Sequence, residues 1–195
     1  MGLFVVFGMF GICLILGFTG GVIMSQSDRF KCYGINSDAE LTAAIEYTVQ
    51  NFAMGANVDN LRAMLRETAI TESNYGRAIY NNKRGFGYGA FQFDPIGMKQ
   101  SLLVAESKGQ LNKIRLLSLT TSDLSPANYK GVYENDLQLK STLQAILCRM
   151  YYAGIREAIP STLEGRARYW KKYYNSVLGA GTPEKYIARV KNFKA

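Results

Sequence analysis

The chain has 195 residues, a formal charge of +8 and no histidine. Its length suits one domain with appendages and a real core, and its charge points to acidic partners: nucleic acid, anionic lipid or an acidic cell-wall polymer. The missing imidazole excludes Ser-His-Asp and Cys-His nucleophile systems and most catalytic zinc sites, so any catalysis falls to carboxylates, Lys, Tyr or Cys. Cys13, Cys32 and Cys148 include no C-x-x-C pair, which argues against a metal knuckle. Cys13 is a small apolar residue within an apolar run. Cys32 and Cys148 are either a disulfide, if the domain matures outside the cytosol, or two unrelated thiols. No metal or other cofactor is expected.

The first element, Leu3 to Met24, carries no charge and slightly exceeds the roughly 20 residues that span a bilayer. A cleaved signal peptide would want a basic n-region and a small-x-small site. No Lys or Arg precedes the run, and "GGVIMSQS" is a poor site. The sequence therefore predicts a retained transmembrane anchor over 1–26, a linker over 27–36 and a single domain over 37–195. Arg29 and Lys31 cast a weak positive-inside vote for a cytoplasmic C-terminal side.

The rest reads as helices. "NSDAELTAAIEYTVQNF" opens on a capping box, Ser37 with Glu40, and puts Leu41, Ile45, Val49 and Phe52 on one stripe. "NVDNLRAMLRETAITES" continues as a second helix. "DLQLKSTLQAILCRMYYAG" lines up Leu139, Leu143, Ile146, Leu147 and Met150 and ends near Gly154 and Pro160. "STLEGRARYWKKYYN" starts on a second box, Ser161 with Glu164, and "TPEKYIARVKNF" on a Thr cap with Pro at the first helical position. Only "RGFGYGAFQF" reads as a hairpin or extended loop. The fold class is mainly α with one small hairpin or loop, behind an N-terminal membrane helix.

The C-terminal half of the second helix holds two carboxylates, Glu67 and Glu72. At about 100° per residue, Leu61, Leu65, Thr68, Ala69 and Glu72 share one sector, and Glu67 falls among polar positions on the far side. Glu67 is thus expected in water. Glu72 extends the apolar stripe inward at the helix's C-terminal end, where desolvation and the negative end of the dipole both raise a carboxyl's pKa. A Glu protonated near neutral pH is what a general acid for glycosidic cleavage requires. Alternatively the helix ends one residue early and Glu72 points outward. Downstream, Gly85, Gly87 and Gly89 allow close backbone approach, and Phe86, Tyr88, Phe91 and Phe93 offer flat faces to sugar rings. An ordinary aromatic hairpin packed on helices has the same composition.

"TESNYGRA…GFGYGAFQFDP" resembles the lysozyme-like lytic transglycosylases, closest to the virion-associated peptidoglycan-degrading proteins of bacteriophages, with Glu-Ser at a helix end followed by a G-x-F-Q segment. "WKKYYNSVLGAGTPEKYI" resembles the family's later Tyr-Asn and Tyr motifs, with a looser spacing after Asn175. The resemblance covers roughly residues 60–100 and 165–190. It implies a lysozyme-like domain in which Glu72 is the acid/base, Ser73 supports it, and Gly89, Ala90, Phe91 and Gln92 line the sugar site. Tyr174 and Asn175 would orient the sugar and the glutamate, and Tyr186 would hydrogen-bond Glu72. The implied partner is the peptidoglycan glycan strand, cut between N-acetylmuramic acid and N-acetylglucosamine with closure of a 1,6-anhydro ring.

Hydrolysis in the manner of a muramidase would use a second carboxylate, for which Asp94 is the candidate; its plainer role is a turn residue before Pro95. A glycan-binding module without catalysis is a further alternative. Nucleic-acid binding through Arg166, Arg168, Lys171 and Lys172 is less favoured than a solvated helix face, so no nucleic-acid partner is expected. Anchor and enzyme together suggest a single-pass membrane protein: in the internal membrane of a lipid-containing phage, beside other virion membrane proteins, or in a bacterial inner membrane with the domain in the periplasm.

Overall fold

The structure, a computed structural model, describes residues 35–77, 87–132, 140–176 and 179–194. The anchor expected over 1–26, most of the linker, Cys32, Gly85, Phe86 and Leu139 lie outside these residues. Among the described residues no helix is long and apolar enough to cross a membrane.

The described chain is mainly helical. In order come α1 (Asp38–Phe52), α2 (Val58–Ser73), α3 (Pro95–Ser107), α4 (Leu111–Leu116), a 3₁₀ turn (Pro126–Asn128) running into the single turn α5 (Tyr129–Gly131), then α6 (Ser141–Ala153), α7 (Leu163–Tyr173) and α8 (Pro183–Asn192). Side-chain oxygens close most helix starts, as their sequences require. Ser37 Oγ accepts from the Glu40 amide at 3.1 Å. The Glu40 carboxylate does not return to Ser37, however, but takes the Asn36 amide at 2.9 Å, so the capping box is only half formed. α7 is capped by Thr162, one residue beyond the expected Ser161, because the Thr162 hydroxyl meets the Gly165 amide at 3.1 Å. Thr182 and Pro183 start α8 as expected.

α6 is the central helix, packed on one side by α1 and on another by α3. The single stripe expected for it understates this burial: Gln144, Ala145, Cys148 and Arg149 are buried along with Leu143, Ile146, Leu147 and Met150. A helix enclosed all round must neutralise its polar groups inside. Arg149 does so by capping α1, donating from Nε to the Phe52 carbonyl at 3.0 Å and from a terminal nitrogen to the Ala53 carbonyl at 2.6 Å. α7 and α8 pair with each other, and α8 lies against α2. The C-terminal end of α2 is therefore enclosed by α6, α7 and α8, which is where the candidate site forms.

Candidate proton-donating site

α2 runs through Glu72 to Ser73, so the helix does not stop early. It ends on Asn74 in the left-handed conformation (φ 52°), whose amide still bonds the Ile70 carbonyl. Tyr75 and Gly76 continue with positive φ, and the chain turns sharply away from the helix axis. Residues 88–93 return as a tight hairpin closed by a Tyr88–Phe93 bridge, with N–O distances of 2.8 and 3.0 Å.

Three helices grip the backbone of this hairpin. Ser73 Oγ, at the end of α2, lies 2.7 Å from the Ala90 carbonyl and accepts the Gly76 amide at 2.7 Å. Gln144 Oε1, from α6, accepts the Ala90 amide at 2.7 Å. The Tyr174 hydroxyl, just past α7, donates to the Phe91 carbonyl at 2.6 Å. Gly89 is required here twice over: its φ is +74°, and a Cβ would stand 2.7 Å from Gln144 Oε1.

Several expected roles change in this arrangement. Ser73, Gly89, Ala90, Phe91 and Phe93 are buried, so the Phe91 and Phe93 rings are core, not open faces for a ligand. Ser73 is a staple between α2 and the hairpin. Gln92, Tyr174 and Asn175 remain partly accessible. They share the wall of a cleft of about 330 Å³ with Tyr151, Gln100 and Asp94. Asp94 is the N-cap of α3, its carboxylate taking the Gly97 amide at 2.5 Å, which is its plainer, turn-forming role.

Glu72 is partly accessible, and its Oε1 accepts the indole N–H of Trp170 at 2.8 Å. Burial raises its pKa from 4.5 to about 7, against the Trp170 hydrogen bond and the Arg189 guanidinium, which both lower it. Tyr174, Cys148 and Tyr152 complete its surroundings, and each feels its charge. Burial pushes all three of these groups well above their usual pKa, so none carries charge near neutral pH. Cys148 is a free, fully buried thiol. Tyr174 thus belongs to both the surroundings of Glu72 and the cleft.

Trp170 is the residue that the sequence reading missed, and it takes the place expected for Tyr186. It is the only tryptophan in the chain. As the one tryptophan, on the expected helix "STLEGRARYWKKYYN", it gave a usable signal, since an indole packed inside needs an acceptor for its N–H. Gly181 leaves room for the ring, because a Cβ there would collide with Trp170 Cη2. Tyr186 packs against the indole with the rings tilted and their centroids 5.2 Å apart, but its hydroxyl donates to Glu67 Oε2 at 3.1 Å.

Glu67, expected in water, is 6 % exposed. Arg166 grips it with two hydrogen bonds, Nε to Oε2 at 2.8 Å and a terminal nitrogen to Oε1 at 2.6 Å. The wheel erred because α2 has a second buried face, toward α7 and α8. Arg166 is likewise buried, at 7 % exposure, and does not belong to a solvated basic face. Lys171 is half-buried and tied to the loop after α7, binding Asn175 Oδ1 at 2.9 Å and the carbonyls of Ser176 and Gly179 at 2.7 Å each. That leaves Arg168 and Lys172 exposed, and Lys172 pairs with Glu157 at 2.8 Å.

Chemically the site offers one carboxyl that holds its proton to about neutral pH and opens partly to solvent; it does not itself line the polar, tyrosine-walled cleft, and Tyr174 is the residue common to both. Among the described residues no cluster of acidic, Cys or His side chains suits a metal ion. Comparison with protein-family models, with curated proteins and with solved structures finds no match to this chain.

Proposed function

We propose that the chain is a membrane-anchored peptidoglycan lytic transglycosylase with a lysozyme-like domain, cutting the β-1,4 bond between N-acetylmuramic acid and N-acetylglucosamine. The observation that carries this reading is Glu72 itself: a partly accessible carboxyl with a pKa near 7, fixed by Trp170 and separated by Tyr174 from a cleft that Gln92 and Asn175 also wall. In the reaction one carboxyl makes both proton transfers. The indole N–H is a donor only, so Oε1 stays an acceptor and the proton rides on Oε2. Oε2 gives that proton to the glycosidic oxygen as its bond to C1 of the muramyl ring breaks. The resulting carboxylate takes the proton of the muramyl 6-hydroxyl as O6 closes on C1 to form the 1,6-anhydro ring, which regenerates the acid. Wall opening as a phage genome enters the cell is the setting that the motif resemblance favours.

Hydrolysis is the second reading, because Asp94 lines the cleft that Tyr174 walls. Digestion of purified cell walls followed by product masses separates the readings. Anhydromuramyl ends are expected; reducing muramyl ends in their place mean that water is the acceptor, and no soluble product means a binding module.

Replacing Trp170 with Phe removes a hydrogen bond that favours the carboxylate. The Glu72 pKa is then expected to rise, moving the high-pH limb of kcat upward and lowering kcat about tenfold with little change in KM. A pH–rate profile checks this, and an unmoved limb contradicts the role of Trp170.

A further inference from the structure

Beyond the cleft at Tyr174, a second depression of about 390 Å³ lies between the end of α2 and α8, lined by Ile70, Asn74, Ala188, Arg189, Asn192 and Phe193. Its floor is apolar and its polar groups are amides and one guanidinium. Phe193 is flanked by two further cations, with Arg66 5.4 Å and Arg77 4.8 Å from the ring centroid. Arg77 is paired with Asp38. Among the described residues neither Arg66 nor Arg189 forms an ion pair. Arg189 is exposed and is steadied by a hydrogen bond to the Thr71 carbonyl, on the residue before Glu72. An exposed Arg189 in a depression whose apolar lining is Ile70, Ala188 and Phe193 suits a carboxylate carried on a short organic chain, since Arg binds carboxylates through a planar fork of donors.

We propose that this depression binds an acidic peptide, with a carboxylate on Arg189 and the chain against its apolar lining of Ile70, Ala188 and Phe193. The assignment rests on the transglycosylase reading only for the source of that peptide, which would be the acidic stem borne by the muramyl sugar. Binding there also bears on Glu72. The ionisable groups facing Glu72 are Cys148 and Tyr152 from α6, Tyr174 beyond α7 and Arg189 from α8, with the Glu67–Arg166 pair a turn below in α2 and α7. Of these, Arg189 is the charge that draws the Glu72 proton off. A bound carboxylate offsets that pull, so the ligand keeps Glu72 protonated. By reciprocity, protonated Glu72 favours the ligand.

The test is calorimetric titration of the full chain in detergent micelles with L-alanyl-γ-D-glutamate, its diamide and inorganic phosphate. The acidic peptide is expected to bind saturably and the diamide at least tenfold more weakly. R189Q should lose at least tenfold in affinity, and R189K, which keeps the charge but not the planar fork, should fall between R189Q and wild type. E72Q, which cannot ionise, should bind the peptide more tightly than wild type at pH 8 and equally at pH 6. Absence of saturable binding, equal binding of the diamide, wild-type affinity in R189Q, or phosphate binding as tight as the peptide's overturns the proposal. The diamide comparison needs no variant and so stands whatever R189Q does to folding. No turnover enters these titrations; failure of the transglycosylase reading would appear instead as wall cleavage that survives E72Q.

Discussion

Glu72→Gln is expected to lower wall-degrading activity at least a hundredfold, the usual scale for loss of a general acid, while leaving the fold intact or firmer. Gln keeps the shape and still accepts the Trp170 N–H through its amide oxygen, but it has no proton to give. Its effect on stability has a definite sign. Glu72 has a folded pKa of about 7 against an ordinary 4.5, so the stability it contributes is full below 4.5 and is lost as pH rises through 7. Ionising this partly buried carboxyl above that point costs on the order of 3 kcal/mol. Glu72→Gln removes this cost and should unfold at higher urea than wild type at pH 8, with a smaller difference at pH 5. Zymography and urea melts of the two proteins check both halves. Activity retained within a few-fold rejects Glu72 as the acid; activity lost together with stability at pH 8 makes the residue structural.

The second large effect lies one turn and a half earlier. Glu67→Gln is expected to cost about 3–5 kcal/mol, because it leaves the buried Arg166 guanidinium without its countercharge. The sequence reading, which put Glu67 in water, predicts almost no effect, so the experiment discriminates cleanly. Tyr186 should loosen as well, since its hydroxyl loses a charged acceptor and its ring supports Trp170. Activity near neutral pH is therefore expected to fall in step with the folded fraction. Urea unfolding followed by fluorescence of the one tryptophan measures this; a loss below about 1 kcal/mol would contradict the buried pair.

These two glutamates show how much of the site could be read from the chain and where reading stopped. Caps and period fixed most of the helices: the α1 stripe of Leu41, Ile45, Val49 and Phe52 is buried, and Thr182 with Pro183 begins α8. A helical wheel also turned Glu72 inward, since Leu61, Leu65 and Ala69 share its sector. The same wheel failed for Glu67 because it allows one buried face, and α2 has two. Arg166, the partner that makes the second face tolerable, lies 99 residues away, and no local pattern encodes that distance. The aromatic run was ambiguous for a different reason. Phe91 and Phe93 have the composition of a sugar platform and of a packed hairpin alike, and only the tie from Gln144 to Ala90 and from Tyr174 to Phe91 decides for packing. Which tyrosine or tryptophan meets which carboxylate depends on how α7 and α8 pair. The choice between Tyr186 and Trp170 was therefore out of reach, although the need of a lone buried indole for an acceptor was not.

That lone indole also gives the most direct test of the acid at the centre of the site. The Nε1–H signal of Trp170 is the single tryptophan indole resonance in a ¹H–¹⁵N spectrum of the full chain, and its shift reports the charge on the oxygen that it donates to. Followed from pH 4 to pH 9, it should titrate with a midpoint near 7, and the step should vanish in Glu72→Gln. A midpoint near 4.5, or a shift that stays flat in wild type, would mean that Glu72 does not hold its proton at neutral pH and is not the donor.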